Sequence, residues 1–183
     1  MTLTAATTTE ELSDAIDNEL MLLSAGLGHV NPPPPTPETT LLVVAQPNAR
    51  SYEAALAVAA AGGDASPSPP FLHDFAAFLR MAWVAEDRIA AAGLADDIQI
   101  ACFHPRAVYN LYAEGPADTA EDPAQFAIRS PLPTIHFLRA RDIAAAVESN
   151  PSAANIPDVN KRRLREIGEQ RVQAVWQQLM RQA

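Results

Sequence analysis

Apolar positions recur at helical spacing near the start of the chain. Leu12, Ile16, Leu20 and Leu23 follow Thr9, Glu10 and Glu11, which predicts a helix over 9–25 with a threonine cap, acids in its first turn, and Gly26 and Gly28 beyond its end. "TTLLVVA", 39–45, is apolar on successive residues, the pattern of a strand covered on both faces. "YEAALAVAAAGG" predicts a helix closed by Gly62 and Gly63. Phe71, Phe75, Phe78, Leu79, Ala82, Ala85 and Ile89 keep an i, i+3, i+4 rhythm that Gly93 stops. His73 falls off that stripe and reads as a solvated first-turn residue.

The period then changes from helical to alternating. "DIQIACF" places Ile98, Ile100 and Cys102 on one face of a strand and Gln99, Ala101 and Phe103 on the other. "PTIHFLR" alternates Ile135 and Phe137 with Thr134, His136 and Leu138, so His136 points away from the face of Ile135, Phe137 and Arg139. A polar, proline-containing segment, 105–131, joins the two strands. "ARDIAAAVES" is a short helix, and a long amphipathic helix over 157–182 carries Leu164, Ile167, Val172, Val175, Trp176 and Leu179 on one side. Trp176, Leu179 and Met180 are read as core, with an exposed docking stripe as the alternative.

Strands alternating with helices predict an α/β fold, with α+β as its variant: a small sheet of three or four strands with helices packed on it. The expected division is an N-terminal helix and proline-rich strap, 1–38, followed by a single α/β domain, 39–183. Four consecutive prolines in "NPPPPTP" donate no backbone hydrogen bonds, so this stretch reads as an extended spacer in preference to a docking peptide for an aromatic groove.

Charge and composition narrow the partners. With 183 residues the chain is long enough for a core without metal or disulfide staples. A net charge of -9 argues against nucleic acid, because phosphate contacts need clustered cations. No apolar run approaches the roughly 20 residues of a membrane-spanning helix, so no membrane insertion is expected. One cysteine, Cys102, in an apolar run, and an N-terminal stretch carrying acids and no arginine, lead to the expectation of a cytoplasmic protein. The basic run "NKRRLRE" is read first as a solvated helix face countered by Glu166 and Glu169; binding of phosphate or an acidic partner, with Arg129, Arg139 and Arg141, is the alternative.

Candidate chemistry gathers at the two strand ends. Pro105 biases His104 to extended geometry and ends regular pairing, so this histidine projects from a fixed platform. If the two strands are neighbours, His104 and His136 converge with Arg129 nearby, a grouping suited to a divalent metal, an anion, or a general base beside a cation. Further metal ligands would have to come from Asp118, Glu121, Asp122 or Cys102. Arg129 and Arg139 are the candidate anion-binding residues. The plainer reading, which weighs more, is that both histidines are hydrogen-bonded structural groups. Ser130 precedes a proline and lacks the strand-turn-helix elbow of a serine nucleophile.

"QIACFHP", "EDPAQFAIRSPLPTIHFLR", "DIAAAV" and "IPDVNKRRLREIG", taken in order, resemble successive blocks of the DUF1415 family of small proteins of unknown function. The resemblance matches Phe103, His104, Pro105, Asp122, Arg129, Ser130, Pro131, Pro133, His136, Arg139 and Asn160 to the family pattern, and it implies no reaction. Three departures stand out. "LGHVNPPPP" occupies the place of a cysteine-containing segment, Gln125, Phe126, Ala127 and Ile128 replace an Asn-Tyr-Thr-Asn run, and Leu132 replaces a tyrosine. Loss of polar groups from a kept framework leads to the expectation of a non-catalytic scaffold or accessory subunit that binds another protein within a larger assembly. The alternative is a small metal- or anion-dependent enzyme, for instance a hydrolase, with His104 and His136 as ligands or acid and base, Ser130 nearby, and Arg129 as anion clamp.

Overall fold

The computed structural model describes residues 2–4, 9–25, 39–44, 73–109 and 122–181. The polyproline stretch, the helix expected over 52–63, Phe71, Asp118 and Glu121 lie outside the described residues. In chain order the elements are β1 (Thr2–Thr4), α1 (Thr9–Ala25), β2 (Thr39–Val44), α2 (Phe75–Ala91), β3 (Ile98–Phe103), a 3-10 segment (Pro123–Ile128), β4 (Thr134–Arg139), α3 (Ala140–Ser149), a second 3-10 turn (Pro151–Asn155), α4 (Ile156–Ile167) and α5 (Glu169–Met180).

The sheet has the order β1-β2-β4-β3. β4 runs antiparallel to both β2 and β3, and the short β1, which no periodicity announced, pairs parallel with β2. Mixed α and β architecture is therefore present as expected. The parallel neighbours β1 and β2 have α1 between them in the chain, whereas the three longer strands pair antiparallel, which gives the sheet the α+β form.

One face of the sheet carries the core. Leu42 of β2 pairs in register with Ile135, which pairs with Cys102; Phe137 pairs with Ile100. Against this face lie Leu12, Ile16, Leu20 and Leu23 of α1 and Phe75, Phe78, Met81, Ala85 and Ile89 of α2. The helical spacing of those residues is what puts them on one stripe, and full burial of a side chain such as Phe78 contributes roughly 1.5–3 kcal/mol. α1 thus shares the core with the rest of the described chain. Arg88 of α2 ties the two helices at their rim, pairing with Asp17 and donating to Ser13 Oγ at 3.3 Å.

Local signals set the helix ends. Asp74 caps α2, its Oδ1 accepting from the Ala76 and Ala77 amides at 2.7 and 3.1 Å. Gly93, at φ 71°, closes it in the left-handed conformation. The long C-terminal helix expected over 157–182 is two helices. Gly168 adopts φ 87° and ψ 152°, outside the helical region, so the apolar stripe is carried across a bend between α4 and α5.

Candidate functional site

His104 follows the parity of β3. Ile98, Ile100 and Cys102 face the core, and the next even position delivers His104 to the same side, where it is fully buried. Its ring lies 5.6 Å from that of Phe75 and 5.3 Å from that of Phe78. Nδ1 accepts the Arg106 amide proton at 3.0 Å, and the carbonyl accepts from Ala107 at 3.0 Å. The backbone amide donates to Ile128 O at 3.4 Å, linking the end of β3 to the 3-10 segment. His104 therefore holds the turn after β3 while filling space between two phenylalanines.

His136 lies across the sheet from it. It pairs in register with Ala101 and Leu41, one position out of phase with Ile135 and Phe137. Its half-buried imidazole titrates below the ordinary 6.5 because burial disfavours the charged form. The register puts the two histidines on opposite faces, so no joint His104–His136 centre forms. Arg139, opposite Ile98, is buried on the core side at the start of α3. Among the described residues no three His, Cys, Asp or Glu side chains converge in a cluster able to hold a metal ion. Cys102, in the same layer, is pushed up to about 12 by burial first and the Glu86 charge second.

The 3-10 segment collects the remaining candidates. Asp122 caps it, accepting the Ala124 amide at 2.9 Å, and Pro123 occupies the first position where no donor is needed. Gln125, fully buried, accepts the Tyr109 amide at 2.6 Å. Arg129 ends the segment. Its Nε donates to Ala107 O at 3.1 Å, and its guanidinium carbon stands 4.4 Å from the Phe126 ring centroid. Burial draws this guanidinium below its ordinary value. Ser130 Oγ donates to Leu132 O and lies 3.2 Å from Thr134 Oγ1, so it is engaged in the turn before β4.

Beside Arg129 opens a groove of about 510 Å³. Phe126, Arg129, Ser130 and Pro131 form one wall; Leu164 and Ile167 of α4 with Val172, Val175, Trp176 and Leu179 of α5 form the other, with Arg171 beside them. Trp176 meets Phe126 edge-on at 5.6 Å. The stripe divides instead of being wholly core: Val172 and Met180 are buried, whereas Val175, Ile167 and Leu179 are 53%, 50% and 44% exposed.

The basic run of α4 is largely paired. Arg165 binds Asp122, Arg162 approaches Glu166 at 3.9 Å, and Lys161 lies 3.8 Å from Asp158 and 4.2 Å from the Tyr109 ring centroid. Glu169 is engaged by Gln173 at 2.9 Å and is not the counter-charge expected for this run.

Sequence reasoning missed the groove as a place. Phe126 reads as a lost polar group, yet it supplies the wall on which Arg129 and Trp176 rest. Arg171 drew no attention. The available signal was the i, i+3, i+4, i+7 series 172, 175, 176, 179 together with Gly168, which separates it from Leu164 and Ile167.

The family model described as "Protein of unknown function (DUF1415)" matches residues 67–174. No curated protein and no solved structure matches the chain. No helix among the described residues is long and apolar enough to cross a membrane.

Proposed function

The chain belongs to the DUF1415 family, and from that premise we propose that it is a non-catalytic accessory protein of the cytoplasm that docks a helical segment of another protein in the groove between the 3-10 segment and α4–α5, as one component of a larger assembly. A single observation carries the reading: Ile167, Val175 and Leu179 line a formed groove and remain about half exposed. A small ligand seated beneath them would leave this stripe wet, whereas a helix laid along α5, which is about 18 Å long, would cover it. The enzyme alternative has less support, because His104 is committed to the core and the register separates it from His136.

The test begins with affinity purification of the tagged chain, followed by reconstitution of any recovered pair from purified components. Substitution of Val175→Asp with Leu179→Asp is expected to abolish the reconstituted complex while thermal unfolding stays cooperative. Full retention of the complex by that folded variant overturns the groove as the docking site.

A further inference from the structure

Arg129 is fixed in an unusual way for a cation in an acidic chain. Nε is tied to Ala107 O and the plane lies against Phe126, which sets its orientation, while the four Nη protons donate to no group among the described residues. Arg171, on the other side of the groove, forms no ion pair among the described residues. Five other basic side chains of the described residues do pair with carboxylates, in a chain with 22 acidic and 13 basic residues. Arg163 and Arg181 likewise form no ion pair among the described residues, so position is what sets Arg129 and Arg171 apart. Both line one apolar groove, no carboxylate lines it with them, and they mark a place there for a carboxylate from outside.

We infer that the segment docked in this groove is an acidic amphipathic helix whose apolar face covers Val175 and Leu179 and whose flanking carboxylates are read by Arg129 and Arg171. This rests on the docking reading above and adds the chemistry of the partner. Arg129 is the specificity-determining residue: a guanidinium anchored through Nε presents its two Nη groups as a fork, the geometry that takes a carboxylate in bidentate fashion. Arg171, exposed on α5, supplies a second and more adaptable charge. The net charge of -9 opposes an acidic helix in general, and these two cations offset that repulsion at the groove.

The experiment uses the full chain and three fluorescein-labelled sixteen-residue helical peptides sharing one apolar face, with Glu, Gln or Lys flanking it, read by fluorescence polarisation. The Glu peptide is expected to bind about tenfold more tightly than the Gln peptide, with the Lys peptide weakest and the difference shrinking as salt rises. Arg129→Gln with Arg171→Gln is expected to bring Glu and Gln peptides within about twofold, and Arg129→Lys to recover little of the loss. Equal binding of Glu and Gln peptides to the unmodified chain overturns the carboxylate reading while leaving helix docking intact. Absence of binding by all three, or binding that survives Val175→Asp with Leu179→Asp, overturns docking itself. Displacement of the Glu peptide by dodecanoate at one molecule per chain, or self-association abolished by the same two aspartates, assigns the groove to a small amphipathic anion or to a second copy and overturns the inference.

Discussion

Arg165 grips Asp122 across 43 residues of chain, Nε lying 3.1 and 3.2 Å from the two carboxylate oxygens and Nη2 2.6 Å from one of them. The same carboxylate caps the 3-10 segment through the Ala124 amide. One aspartate therefore joins α4 to the segment that carries Phe126 and Arg129, and so sets the spacing between the two walls of the groove. The hydrogen bonds from Arg165 are the main cause holding its pKa below the ordinary carboxylate range.

Asp122→Asn keeps a capping side chain and removes the charge. We expect a loss of about 0.5–1 kcal/mol at pH 7, the scale of a well-oriented pair near the surface. The folded carboxyl titrates below the unfolded one, so its contribution is complete above about pH 4 and is lost as pH falls through the lower folded value. Urea unfolding of both proteins from pH 7 to pH 3 checks this: the difference between them should shrink towards the acid end, and a constant difference would contradict it.

His104→Ala removes a fully buried ring from between Phe75 and Phe78 and leaves the Arg106 amide without its Nδ1 acceptor. Cavity and lost hydrogen bond together predict destabilisation of about 2–4 kcal/mol. Denaturant unfolding measures it, and a change below about 0.5 kcal/mol would show that the histidine does not hold the turn.

His73 and His136 both titrate below 6.5 when folded, in each case through burial first, with Arg106 adding to the effect at His73. The unfolded chain takes up these protons at higher pH than the folded one. Their contribution is thus present above about pH 6.5 and declines as pH falls from there towards the folded values. The melting temperature should drop between pH 7 and pH 5, and His136→Asn should flatten part of that slope.

Cys102, with its thiol raised to about 12, should be nearly inert in the folded protein. At pH 8 only about one thiol in ten thousand would be ionised, so alkylation by iodoacetamide is expected to be far slower than in urea-unfolded chain. Equal rates in the two states would contradict the burial of this layer.

The legible parts of the sequence were those where one physical requirement dominates. Leu12, Ile16, Leu20 and Leu23, and Phe75 through Ile89, repeat at helical spacing because one face of each helix must be buried, and both stripes lie in the core. Alternation in 98–103 and 134–139 gave both strands and the direction of His136. The meeting of His104 and His136 was a matter of register, which alternation alone does not fix: Cys102 pairs with Ile135 and Ala101 with His136, and that phase separates the rings. The groove was hidden for a related reason. It is made by residues 126–131 meeting 164–179, brought together by the bend at Gly168, the clasp of Arg165 on Asp122 and the contact of Trp176 with Phe126.

The chain has two tryptophans, Trp83 and Trp176, so Trp83→Phe leaves Trp176 as the sole indole reporter in the groove wall. Its emission should be recorded as the Glu-flanked amphipathic helix is titrated in. A saturable blue shift, lost on Val175→Asp with Leu179→Asp, is the predicted result, because the docked helix would take the remaining water away from the half-buried indole. An emission maximum unchanged at saturating peptide would contradict the assignment of this groove as the docking site.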